Sequence, residues 1–172
     1  MHGIRLPIVA LVGVVVVALS FALGRATASN FPCTDDSIIC VQNYYRSVIE
    51  RDGAVTALRD LKMRFAHEGP ARTYCHPLLH LIGEAAGKEF GDVAKAYTYG
   101  ETFCRAGYYH GVLEGIFARD GEQLLTTIDS ICANVRGRQS YSYDYFSCVH
   151  GIGHGLMAYF DHDLFASLEG CD

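Results

Sequence analysis

The sequence predicts an all-α fold: a helix-pair repeat of the α-solenoid kind, or an irregular helical bundle, after an amino-terminal apolar helix. Apolar residues recur with helical spacing, no stretch alternates as a half-buried strand does, and long histidine-bearing segments alternate with shorter amphipathic ones. We expect three regions: residues 1–28 as a signal anchor or signal peptide, residues 29–53 as a membrane-proximal helical segment, and residues 54–172 as a His-rich helical-repeat domain.

The amino-terminal segment is long enough to cross a membrane. Residues 6–23 carry no charge and are flanked by Arg5 and Arg25. As a helix they would be about 27 Å long, close to the thickness of the hydrocarbon core of a bilayer. Two interpretations stay open: an uncleaved membrane anchor, or a signal peptide cleaved after Ala28, where Ala26 and Ala28 form a small-x-small site. Both place the rest of the chain outside the cytoplasm, in the periplasm or at the cell exterior, and cleavage would make it secreted.

Composition narrows the classes of function. Half of the residues are apolar and only 19% are charged, which excludes an intrinsically disordered chain. The formal net charge is −5 and no basic stripe occurs, so no nucleic-acid partner is expected. Seven cysteines and eight histidines are many for 172 residues, and they point to disulfides and to metal binding.

Turns rich in glycine and proline divide the rest of the chain into eight predicted helices. We place them at residues 36–51, 54–67, 73–90, 92–98, 102–119, 122–134, 144–160 and 163–169. The histidine helices align on His80, His110 and His150 as a weak repeat, with spacings of 30 and 40 residues. No capping helix follows the last short helix, so we expect either a protein partner over that end or a chain that continues beyond Asp172.

Export would make the cysteines disulfide candidates before anything else. We expect at least two disulfides among Cys33, Cys40, Cys75, Cys104, Cys132 and Cys148. Cys33–Cys40 is the best local pair, and the odd total leaves one cysteine unpaired, bound to another chain or bound to metal. No C-x-x-C or C-x-x-C-H motif occurs, which argues against a thioredoxin-like redox pair and against covalent haem.

Potential metal ligands occur four residues apart on all three histidine helices. Side chains at positions i and i+4 share a helix face and can bind one ion. The seven candidate ligands are His76, His80, Glu84, His110, Glu114, His150 and His154. If the three helices converge, these side chains face one interior pocket, with His76 one turn away from the others.

The two acidic candidates lie in apolar surroundings. Glu84 is the only charged residue between positions 75 and 87, and Glu114 is the only one between positions 106 and 118. A buried carboxylate needs a partner, and we expect a histidine or a metal ion in that role. Beside a metal-bound water, Glu84 or Glu114 would be the candidate general base.

The favoured function is the binding of one or two transition-metal ions, zinc, iron or copper, with metal-dependent catalysis or redox chemistry as further options. Non-covalent haem held by two histidines stays open as well. The competing interpretation is a non-catalytic interaction module or a subunit of a membrane complex, in which histidine and glycine serve packing. Metal carriage or storage is a third. Glycines spaced four apart on the histidine helices predict close helix crossings rather than chemistry.

Overall fold

The computed structural model describes residues 31–33 and 37–170, and it confirms an all-α fold, with no β-strand in this part of the chain. The described α-helices are α1 (Ile38–Asp52), α2 (Ala54–Phe65), α3 (Gly69–Thr73), α4 (Cys75–Phe90), α5 (Val93–Tyr97), α6 (Gly107–Leu125), α7 (Tyr143–Tyr159) and α8 (Leu164–Glu169). Short 3₁₀ turns lie at Phe103–Ala106, Ile128–Ser130 and Arg138–Ser140. The apolar segment at residues 6–23 lies outside the described residues. None of the helices described here has both the length and the hydropathy needed to cross a bilayer.

Local sequence explains several helix ends. Gly53 ends α1 and Gly91 ends α4, with φ angles of 83° and 61° that glycine adopts without steric cost. Asp92 and Ser142 precede α5 and α7, and their side-chain oxygens accept hydrogen bonds from backbone N–H groups in the first turn. The predicted turns at these positions therefore coincide with observed helix boundaries.

Only residues 122–125 of the predicted helix at residues 122–134 are helical, and they form the end of α6. Helix α6 continues through Gly121 with only a kink at Asp120, and a 3₁₀ turn and irregular turns follow it. The ring of Tyr159 packs so closely on Gly121 that a Cβ there would lie 2.1 Å from a ring carbon. This contact comes from a distant helix, so local turn chemistry could not reveal it. The additional short helix α3 has Pro70 in its first turn, where a missing N–H costs nothing.

Helix α6 packs against both α4 and α7, while α1 and α2 pack on each other and on α4. One hydrophobic core runs through these layers. Its fully buried side chains include Tyr45, Leu61, Leu78, Phe117 and Leu156, from α1, α2, α4, α6 and α7 respectively. Helix α1 therefore shares its core with the histidine helices.

Glycine brings α4 and α6 into backbone contact. A Cβ on Gly83 would lie 2.2 Å from the carbonyl oxygen of Tyr108, and a Cβ on Gly111 would lie 2.2 Å from that of His80. Gly87 and Gly115 lie four residues after these two glycines and make the same kind of contact one turn further along. Any larger residue would push the two helices apart, so these glycines set how closely the side chains of α4 and α6 can meet.

Helix α7 is partly exposed to solvent. Phe146, Val149 and His150 on its outer face are exposed, because its main neighbours are α6 and α8. Leu164 and Phe165 on α8 are exposed as well. The α7 side of the histidine helices is therefore open to solvent, whereas α4 and α6 are packed on several sides.

Three disulfides link the described residues, which confirms the prediction of at least two and the local pair among them. They are Cys33–Cys40, Cys75–Cys104 and Cys132–Cys148. Cys75–Cys104 joins the start of α4 to the turn before α6, and Cys132–Cys148 joins α7 to the loop that precedes it. Cys171 lies outside the described residues.

Candidate metal centre

Five histidines from α4, α6 and α7 meet where these helices pack. The ring centroid of His110 on α6 lies 6.0 Å from that of His76 and 5.4 Å from that of His80, both on α4. It lies 4.9 Å from the ring of His150 and 4.4 Å from that of His154, both on α7. His110 therefore contacts the other four, as its place on the middle helix requires.

The ring nitrogens form two overlapping sets of three, each with its ligand atoms within 4.8 Å of one another. The inner triad is His76, His80 and His110. The outer triad is His110, His150 and His154. Only 8% of His110 is exposed, whereas His150 is exposed and the side chain of His154 is 40% exposed. The inner triad is thus the more enclosed of the two.

A backbone carbonyl orients His76. Its Nδ1 lies 2.8 Å from the carbonyl oxygen of Cys104. A carbonyl oxygen only accepts, so Nδ1 carries the hydrogen, and Nε2 of the neutral ring keeps a lone pair. The disulfide from Cys104 to Cys75, the residue before His76, holds this carbonyl next to the ring.

The turn that carries this carbonyl is strained. Cys104, Arg105 and Ala106 have φ angles of 54°, 57° and 60°, in the left-handed region that costs a non-glycine residue about 1 kcal/mol or more. The next residue, Gly107, packs on the backbone of α4, where a Cβ would lie 2.7 Å from the carbonyl oxygen of His76. The disulfide and the hydrogen bond to His76 offset the strain and keep the turn against α4.

A carboxylate orients His80. The two carboxylate oxygens of Glu114 lie 3.0 and 3.1 Å from Nδ1 of His80. Burial disfavours the charged carboxylate, but the hydrogen bond from His80, and the positive charge that His80 carries when protonated, bring the pKa of Glu114 below its ordinary value. The ionised carboxylate accepts, so Nδ1 of His80 donates, and in the neutral ring Nε2 keeps a lone pair.

The two remaining nitrogens face each other. Nε2 of His76 lies 3.2 Å from Nε2 of His80. Two lone pairs at this distance repel each other unless a proton or a metal ion lies between them. Two nitrogens that bind one tetrahedral ion at 2.0–2.1 Å are about 3.3 Å apart, so the observed spacing suits a shared ion.

His110 supplies a third nitrogen. Its Nδ1 is the one buried side-chain nitrogen or oxygen without a hydrogen-bond partner among the described residues. Burial, followed by the positive charge that His154 and His80 would carry, lowers the pKa of His110 to about 4. The ring is therefore neutral at pH 7, as a metal ligand must be.

The outer triad is held more loosely. His150 stacks on Phe146, with ring centroids 6.0 Å apart and planes at 8°. His154 stacks on His110 with planes at 11°, and its Nδ1 lies 3.9 Å from the carboxylate of Glu114. Within the described residues, no hydrogen bond fixes the ring of His150 or His154 as the carbonyl and the carboxylate fix the inner rings.

Glu84 does not join the centre. Its carboxylate oxygen lies 2.5 Å from Nζ of Lys88, and 39% of its side chain is exposed. Lys88 lies one turn later, beyond the stretch in which Glu84 is the only charge. Residues four apart on a helix are offset by about 40° around its axis, so the face that begins at His76 reaches solvent by Glu84. The other six predicted ligands are brought together.

Sequence reasoning missed two groups that touch the histidines. The carbonyl of Cys104 orients His76, and the ring of Phe146 stacks on His150. The first had a usable signal, because Cys75 is adjacent to His76 and a disulfide from it would bring a second backbone segment to that histidine. The signal for the Phe146 ring was its position four residues before His150, which places both side chains on one helix face.

No protein-family model matches this chain, and comparisons with curated proteins and with solved structures find no match. The chemistry of the centre is therefore inferred from its own side chains.

Proposed function

We propose that this protein binds a transition-metal ion through the inner triad, His76, His80 and His110. The observation that carries the proposal is the 3.2 Å separation of the Nε2 atoms of His76 and His80. Both rings present Nε2 because an acceptor holds each Nδ1. His110, which is neutral at pH 7, supplies the third imidazole of the set.

Three imidazole nitrogens favour zinc, copper or iron over magnesium or calcium, which prefer oxygen ligands. Metal-bound histidines normally donate their second N–H to a carboxylate or carbonyl, and Glu114 and Cys104 supply these acceptors here. Three ligands leave a fourth position of a tetrahedral ion for water or another ligand. Zinc suits this geometry best.

Binding is better supported than hydrolysis. The two carboxylates that the sequence offered as general bases are both engaged, Glu114 by His80 and Glu84 by Lys88. Haem is poorly supported, because α4 and α6 touch at their backbones. Moreover, 3.2 Å is less than the roughly 4 Å between nitrogens on opposite sides of a haem iron.

The competing function is a helical interaction module with structural histidines. Exposed apolar side chains on α8, Leu164, Phe165 and Leu168, favour it, because such a group fits a protein partner over that end of the domain. A pure interaction module would bind no metal, and a proton shared between His76 and His80 would then account for the close nitrogens.

We also propose that the described domain functions outside the cytoplasm, carried there by residues 6–23 as anchor or cleaved signal. Its three disulfides are typical of an oxidising compartment.

The proposal predicts that full-length protein, freed of metal with a chelator, binds one Zn²⁺ per chain in a calorimetric titration. His80→Ala should lower the affinity at least 100-fold, because it removes one of three ligands. Glu114→Gln should lower it about 10- to 100-fold, because the carboxylate only orients His80. Elemental analysis of untagged protein checks the stoichiometry.

Two controls match these variants. His67→Ala removes an exposed histidine away from the centre, and Glu84→Gln removes the carboxylate that pairs with Lys88. Both should bind Zn²⁺ as the unaltered protein does. Absence of binding by the unaltered protein, or equal affinity in His80→Ala, would overturn the proposal.

A further inference from the structure

We infer that the outer triad is a loading position, which takes a metal ion from solvent and passes it to the inner triad through His110. This inference rests on the proposed metal binding at the inner triad. His110 belongs to both sets of ligands, and its ring contacts those of His80 and His154.

The two positions exclude each other. A neutral imidazole has one nitrogen with a lone pair and one with a hydrogen, so His110 binds one ion at a time. An ion held by His150 and His154 with His110 therefore leaves that set when it binds between His76 and His80. The proposed exchange takes place around His110, the one residue common to both sets.

Accessibility gives the transfer a direction. His150 is exposed and 40% of the His154 side chain is accessible, whereas the side chain of His80 is 21% exposed and His110 is buried. An ion from solvent meets the outer nitrogens first. The proposed route to the inner nitrogens runs by way of His110, the residue that both sets share.

The outer position is also the weaker one. An ion lies in the plane of each ring that binds it, so His154 must turn out of its parallel stack on His110 before both can share an ion. The inner rings are already held by Cys104 and Glu114 and need no such turn. A preorganised set binds more tightly than one that must rearrange.

Glu114 connects the two positions. One of its oxygens lies 3.0 Å from Nδ1 of His80 and 3.9 Å from Nδ1 of His154. The same negative charge therefore lies next to one histidine of each triad, and it stabilises the positive ion before and after transfer.

The test is kinetic. Metal-free full-length protein is mixed with excess Zn²⁺ in a stopped-flow instrument, and the loaded protein is mixed with EDTA to follow release. His150→Ala and His154→Ala should each slow loading and release together, at least tenfold, because the outer triad lies on the path in both directions. His67→Ala should load and release at the rate of the unaltered protein.

The outcomes separate the two proposals. Loading at the unaltered rate in both outer-triad variants would overturn the transfer inference and leave metal binding in place. Two ions per chain at saturation would also overturn it, because His110 would then serve both positions at once. Absence of Zn²⁺ binding at equilibrium would overturn the proposed function itself. Circular dichroism confirms that each variant keeps its helices, which is expected because His150 is exposed.

Discussion

Two acceptors decide the protonation of the inner histidines. The carbonyl of Cys104 and the carboxylate of Glu114 each take the hydrogen of an Nδ1, which turns the Nε2 lone pairs of His76 and His80 towards each other. The spacing of His76 and His80 in the sequence predicts a shared face but says nothing about which nitrogen points inward. At this scale the proposed metal site depends on the two acceptors as well as on the histidines.

The lowered pKa of His110 predicts acid sensitivity of the metal-free protein. Its pKa is about 4 in the folded state against 6.5 for an ordinary histidine, because burial disfavours the charged ring. Its contribution to the free energy of unfolding is therefore full above about pH 6.5 and falls as the pH drops towards 4, by about 3 kcal/mol in all. Urea unfolding at several pH values between 7.5 and 4 measures this loss.

A matched pair of variants isolates the effect. His110→Asn removes the titrating ring and should flatten the dependence over this range, whereas His67→Ala should keep it. Equal slopes for His110→Asn and the unaltered protein would show that other groups cause the loss.

Among the helices, backbone contact between α4 and α6 sets the distances within the centre. The glycines at the crossing let His80 and His110 approach to a ring separation of 5.4 Å. The cost of each glycine within a helix, about 1 kcal/mol relative to alanine, is offset by this close packing. The glycines and the histidines therefore act together, although their patterns in the sequence have separate explanations.

Alanine at the crossing should separate the helices. Gly83→Ala and Gly111→Ala each place a Cβ 2.2 Å from a backbone oxygen that cannot move aside, so each should lower the free energy of unfolding by roughly 2 kcal/mol or more and weaken Zn²⁺ binding. Gly153→Ala is the control, because nothing lies within 4 Å of its added Cβ. It should raise stability by about 0.5–1 kcal/mol through helix propensity. Thermal and urea unfolding measure all three, and a neutral Gly111→Ala would contradict the close crossing.

At the scale of the whole molecule, the disulfides make the histidine centre dependent on an oxidising compartment. Cys75–Cys104 spans the α4–α6 pair and positions the carbonyl that holds His76, so the arrangement of the inner triad depends on an oxidised bond. Each bridge should stabilise the fold by about 2–4 kcal/mol by restricting the unfolded chain. A reducing compartment would weaken both the fold and the centre.

The proposed export predicts the fate of a fused reporter. A reporter that is active only in the cytoplasm, joined after Asp172, should be inactive if residues 6–23 direct the rest of the chain across the membrane as proposed. Thiol counting on denatured, non-reduced protein from the same cells should find no more than one free cysteine. A strongly active reporter or seven free thiols would contradict export.

The sequence by itself determined the all-α class, the ligand pairs on each histidine helix and the Cys33–Cys40 disulfide. These features depend on residues within two or three turns of one another, where helical periodicity and short loops decide the outcome. Gly53 and Gly91 mark helix ends for the same reason, since their backbone conformation is a local property.

Only the tertiary structure decided which helix lies in the middle, and hence that His110 belongs to two triads while α7 faces solvent. It also decided that Lys88 forms an ion pair with Glu84, that the Cys104 carbonyl orients His76, and that α6 continues past Gly121. Periodicity specifies the direction of a side chain from its own helix axis, but the group it meets depends on which helices pack together and how closely. Here those distances depend on glycine contacts and disulfides between segments far apart in the chain.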